Sequence, residues 1–145
     1  MMKKSLLFLI VGLMGLVLIG CSGNLHDVPP RVNLSGGAIP GAFNGWKNTT
    51  SWTTADKENG KYIYEFTATA AEIEWKVLVK NGDWNAGSYC GNGTELVINV
   101  GEKKELVSNG DKNIKTTGLT NGKKYKVTIE ATENTEVFAK IEAID

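Results

Sequence analysis

Asn-Gly pairs punctuate this chain, among them Asn59-Gly60, Asn81-Gly82, Asn109-Gly110 and Asn121-Gly122. The dipeptide tolerates the left-handed backbone that tight hairpins need, so a chain that uses it repeatedly is built to reverse direction. Between the pairs lie short runs rich in Val, Ile, Thr and Tyr, and no segment sustains helical spacing. The pattern predicts strands over residues 31–38, 62–68, 73–80, 95–100, 103–107, 113–117, 123–132 and 135–143. Tyr62, Tyr64 and Phe66, and then Tyr125, Val127, Ile129 and Ala131, alternate with mostly polar residues, the mark of strands buried on one face. Ala70-Ala71-Glu72 is too short for a helix and reads as a turn or bulge. One-sided antiparallel strands bury their apolar faces by stacking two sheets. The expected fold is therefore all-β, an immunoglobulin-like antiparallel β-sandwich of about seven to eight strands, with a small closed barrel as the other solution.

Residues 1–20 stand apart from that pattern. Lys3 and Lys4 precede an apolar run over residues 6–20, the arrangement of an export signal and short for a permanent membrane span. Leu18-Ile19-Gly20-Cys21 resembles the lipobox of bacterial lipoproteins. That resemblance implies a signal peptide over 1–20, cleavage before Cys21 and acylation of its thiol. An uncleaved anchor helix and a soluble secreted protein are the alternatives. Ser22 stands where some bacteria place an aspartate for inner-membrane retention, which implies the outer membrane or cell surface of the bacterial envelope. Residues 21–31, with Gly23, Pro29 and Pro30, read as a lipidated tether, and residues 32–145 as one domain. His26, the only histidine, has no second His or Cys nearby and reads as a linker residue, so no metal and no cofactor are expected. With Cys21 acylated, Cys90 has no partner for a disulfide and is expected to be a buried thiol.

Charge narrows the function. The chain has 16 basic and 16 acidic residues, and loss of the leader with its two lysines leaves a slight acidic excess. A near-neutral mixed surface lacks the basic stripe that nucleic acid requires. Catalysis is not expected either: the sequence has no Gly-x-Ser-x-Gly, no metal-spaced Cys/His cluster and no phosphate-cradling loop.

The tryptophans are more specific. All four, Trp46, Trp52, Trp75 and Trp84, precede the last 61 residues. In the strand over residues 73–80, Ile73, Trp75, Val77 and Val79 share the inner face, while Glu74, Lys76, Leu78 and Lys80 face outward. Trp75 is thus expected in the core. Asn81-Gly82-Asp83 turns the chain and presents Trp84, and Gly41 to Gly45 form a turn-rich approach to Trp46. Indole faces beside an amine suit a sugar, whose apolar face stacks while its hydroxyls take hydrogen bonds. The alternatives are that Trp46 folds back over the core, that Trp84 plugs an end of the sandwich and that Lys76 is a solvated charge, while Trp52 reads as a third platform, a core ring or a flap.

Phe43-Asn44-Gly45-Trp46, followed by Trp75-Lys76-Val77-Leu78-Val79-Lys80-Asn81-Gly82-Asp83-Trp84, resembles the α-glucan-binding modules of isoamylase-type enzymes and of the β subunit of AMP-activated kinase. The resemblance implies stacking by Trp46 and Trp84 and a hydrogen-bonding amine at Lys76, although this chain carries one residue more between Lys76 and Trp84 than the kinase-type module. Trp84-Asn85, Tyr89-Cys90-Gly91, Asn113-Ile114 and the run from Gly122 to Tyr125 are similar to a series in starch-utilisation outer-membrane lipoproteins. That similarity implies Asn113 as an amide partner for sugar hydroxyls, with a turn-backbone hydrogen bond as its ordinary alternative. The expectation is a non-catalytic, lipid-anchored carbohydrate-binding protein for starch, glycogen or maltooligosaccharide, with a glycan hydrolase or transporter as a possible neighbour. The alternative is a structural or adhesive surface lipoprotein that makes protein contacts.

Overall fold

A computed structural model describes residues 31–145. The leader, the Cys21 lipidation site, His26 and all but the last residue of the tether lie outside the described residues. Among the described residues no helix is long and apolar enough to cross a membrane.

Eleven short strands form the domain: β1 (Thr54–Asp56), β2 (Lys61–Thr67), β3 (Ile73–Trp75), β4 (Val77–Leu78), β5 (Ser88–Cys90), β6 (Leu96–Asn99), β7 (Lys103–Glu105), β8 (Val107–Ser108), β9 (Ile114–Thr117), β10 (Lys124–Ala131) and β11 (Val137–Ala143). One layer is a five-stranded antiparallel sheet in the order β1-β2-β10-β11-β7. The other consists of β3-β9-β6 and β4-β5-β8, joined because β3 and β4 are one run of chain interrupted only at Lys76. The Lys76 amide donates to Pro40 O at 3.0 Å, while Ala38 and Gly41 bridge Leu78 and Trp75, so residues 38–41 flank this central run.

The fold is the sandwich expected from the alternation. Tyr125, Val127, Ile129 and Ala131 of β10 and Val137, Ala139 and Ile141 of β11 are buried against Ile73, Trp75, Val77, Ile98 and Ile114 of the other layer in one contiguous core. Burial of that apolar area is the main favourable term for a domain without a disulfide. Trp75 is fully buried, and its indole N–H donates to Thr116 Oγ1 at 2.9 Å, which satisfies both polar atoms. Cys90 is a buried free thiol whose Sγ lies 3.0 Å from Gly110 O.

Several expectations need correction. Residues 31–38 form no strand; their backbone is taken up by the Leu34 amide donating to the Tyr62 hydroxyl, by the Gly37 amide donating to Leu34 O and by the single bridge at Ala38. The strand over 103–107 breaks at Leu106, where the chain leaves β11 for β5; it thereby stitches the two layers together. Strands β1 and β5 were not anticipated. β6 and β9 run parallel, because residues 100–113 cross through the other layer and return, the long connection a parallel pair requires. Leu78 is fully buried rather than outward. Its face is closed where the 79–87 connection is hydrogen-bonded back to Gly36 and Asn48.

Candidate functional site

The Phe43-Asn44-Gly45-Trp46 segment divides its labour. Ala42–Asn44 forms one 3-10 turn. Phe43 points inward, its ring centroid 5.0 Å from Tyr64 and 4.9 Å from Phe66, and so pins the turn to β2. Asn44 locks the turn: its Oδ1 accepts from the Gly41 amide at 3.0 Å and its Nδ2 donates to Ile39 O at 2.7 Å. Gly45 and Trp46 then both adopt left-handed backbone, with φ of 66° and 60°. For a bulky residue that conformation is an outlier, held here by the Trp46 amide donating to Gly41 O at 2.9 Å. The ring is half-buried.

Trp84 sits in the β4–β5 connection and is 47 % exposed, more than any other large hydrophobic side chain among the described residues. Gly82 takes φ 79° to make the turn, Lys80 and Asp83 pair at 3.7 Å, and Asp83 Oδ1 accepts from the Asn85 amide at 2.9 Å, bracketing Trp84 between two local contacts.

The two tryptophan loops are tied together. The Gly82 amide donates to Asn48 O at 2.9 Å, and Asn81 Nδ2 donates to Thr49 O at 3.1 Å and to Ser51 Oγ at 3.2 Å. Asn81 also donates its amide to Gly36 O at 2.8 Å. Each tryptophan is two residues from the Asn48–Gly82 bond, which limits their Cα separation to about 20 Å. Lys76, the single residue between β3 and β4, is half-buried, with no carboxylate in ion-pair range among the described residues. Asn113 immediately precedes Ile114, the partner of Trp75, at the end of the β3–β9 pairing. Its Nδ2 contacts Glu74 Oε2 at 3.5 Å. Trp52 is taken up structurally: its indole donates to Leu34 O at 2.7 Å and its ring packs 5.5 Å from Tyr62.

Around Asn113 the face is polar. Glu74, Glu95, Asp111, Lys112 and Asn113 line a concavity of about 200 Å³. Lys115 is held above its ordinary range, first by its contact with Glu95 and then by the Glu72 and Glu74 charges, while the Gly93 amide holds Asp111 below the usual carboxylate range. Among the described residues there is no histidine and no group of three side chains suited to a metal ion. The arrangement offers stacking surfaces, an amine and an amide. Asn44, Asn48 and Asn81 shape and join the loops without being among the expected ligand-binding residues; Asn44 and Asn81 stand within the two aromatic motifs and before glycines, whereas Asn48 carries no sequence signal.

No protein-family model matches this chain, and a search of curated proteins finds nothing similar to it.

Proposed function

We propose that this is a non-catalytic carbohydrate-binding protein for α-glucan, anchored to the bacterial envelope through lipid on Cys21. One observation carries the reading: the loops bearing Trp46 and Trp84, 38 residues apart in sequence, are hydrogen-bonded to each other. In this reading glucose units stack on the two rings, the Lys76 ammonium donates to hydroxyl or ring oxygens, and Asn113 supplies an amide to a further hydroxyl. Burial of about 100 Å² of indole contributes only about 2 kcal/mol per ring, so the expected affinity is roughly millimolar to micromolar.

The test is a tryptophan-fluorescence titration of the chain without residues 1–21, using maltoheptaose, cellohexaose and xylohexaose. Saturable binding of maltoheptaose in preference to the other two is expected, with at least a roughly tenfold loss in Trp84→Ala. No response to any glucan, or an unchanged response in that variant, sinks the proposal. Anchorage has its own check. Labelling with radioactive palmitate should appear in the full chain and vanish in Cys21→Ala.

A further inference from the structure

The position of Arg31, ten residues after Cys21, bears on which end of the sandwich a lipid on Cys21 would hold near the membrane. Arg31 is clamped there: Nη1 donates to Asn59 O at 2.7 Å and to Ala131 O at 3.0 Å, and Nη2 meets Glu133 at 3.3 Å. These partners lie in the β1–β2 turn and at the β10–β11 hairpin, which share one end of the five-stranded sheet because Lys61 pairs with Glu130 and Ala131 with Val137. The other layer reaches the same end. β7 runs toward it along β11, β8 continues past Leu106, Cys90 pairs with Val107, and Leu78 pairs with Ser88, so the β4–β5 connection with Trp84 closes there too. A groove of about 390 Å³ between Val107, Tyr89, Thr135 and Val137 joins β5 and β8 to the hairpin.

Two large hydrophobic side chains are exposed among the described residues, Trp84 at 47 % and Val107 at 39 %, and both are at this end. Ten peptide steps separate Cys21 from Arg31, a contour of at most about 35 Å, which is close to the breadth of a domain of this size. The end that carries Arg31 is therefore the nearer one to an anchored lipid. Nearby charges are mixed: Lys80 is paired with Asp83, and Glu105, Glu133 and Glu136 offset Arg31 and Lys57, so the surface favours no anionic headgroup.

We infer that this end is a bilayer contact, with Trp84 and Val107 seated in the headgroup region of the membrane that holds the lipid. An indole with an apolar body and a polar N–H suits that interface, and the covalent lipid supplies the anchorage that two side chains could not. The inference rests on acylation of Cys21 and is independent of glycan specificity. Because one Trp84 ring serves both surfaces, glucan and bilayer compete for it and occupy it in turn.

The experiment uses the full acylated chain in phosphatidylcholine vesicles, with a nitrobenzoxadiazole label on Val107→Cys or, at the opposite end, on Ala143→Cys, each in a Cys90→Ala background because Cys90 is the cross-strand partner of Val107. The label at 107 should shift to the blue and lose quenching by iodide when the protein floats with vesicles, while the label at 143 stays water-like. Flotation with both labels water-exposed, or with both immersed, overturns the inference and leaves anchorage standing. Failure of the full chain to float, as in a Cys21→Ser control, overturns the anchorage and the inference together.

Discussion

Trp75 and Trp84 stand nine positions apart and meet opposite fates, the first fully buried and the second the most exposed large hydrophobic among the described residues. Period-two alternation made the burial of Trp75 legible, since Ile73 and Val77 share its face. The alternation could not reveal its partner, because Thr116 comes from another strand. Thr116→Val removes the acceptor and leaves the indole N–H buried without one, so a loss of about 1–3 kcal/mol is expected from urea unfolding. A stability within error of wild type would mean that the bond contributes nothing. Gly110 shows a different kind of residue-level constraint. A Cβ there would overlap the Gly91 carbonyl, so Gly110→Ala should destabilise by about 2–3 kcal/mol even though its backbone is not left-handed. The neighbour Asn109 takes the positive φ of 53°, a reversal of the Asn-Gly roles seen at Gly60, Gly82 and Gly122.

At the level of elements, the long alternating strands β2, β10 and β11 were read within one or two residues, because each carries enough side chains to display its period. β1 and β5 have three residues apiece, too few for a pattern, and β5 follows a loop whose glycines obscure its start. The candidate site was legible in part for the same reason. Bulky rings after turn residues announce themselves, whereas the joining of two loops depends on carbonyls at Gly36, Asn48 and Thr49 that no local pattern marks. Asn81 links those segments and should act as a positioning residue for the rings. Asn81→Ala frees Thr49 O and Ser51 Oγ and is expected to weaken maltoheptaose binding about three- to tenfold while Tm falls by only a few degrees. Fluorescence titration beside a thermal melt separates the two effects. Unchanged affinity would mean that the rings are placed without the link.

Across the whole molecule, the layering followed from alternation, but the crossing of residues 100–113 between layers did not, since connection paths leave no mark on hydrophobic period. That crossing places Lys103 of β7 at the sheet edge, where its ammonium meets Glu130 at 2.7 Å and lowers that carboxyl below its ordinary range. Four other carboxyls are lowered at separate places: Asp56 by Asn59, Glu102 by the Asn99 amide, Asp111 by the Gly93 amide and Glu142 by Lys140. A carboxyl whose folded pKa is depressed stabilises the fold above its unfolded pKa and loses that contribution as pH falls through the folded value. Each contact is solvent-screened and individually small, yet all five act in the same direction. Lys115, raised chiefly by Glu95, has the opposite sign: its contribution holds below the unfolded lysine pKa and is lost as pH rises through the folded value. Stability should therefore be level across neutral pH, fall by several degrees in Tm below about pH 4, and soften again above about pH 10. Melts across that range at low salt measure it. Glu130→Gln should begin less stable at neutral pH and show a shallower acid limb, because the Lys103 contact it has already lost can no longer be titrated. An acid limb as steep as that of wild type would remove Glu130 from the account.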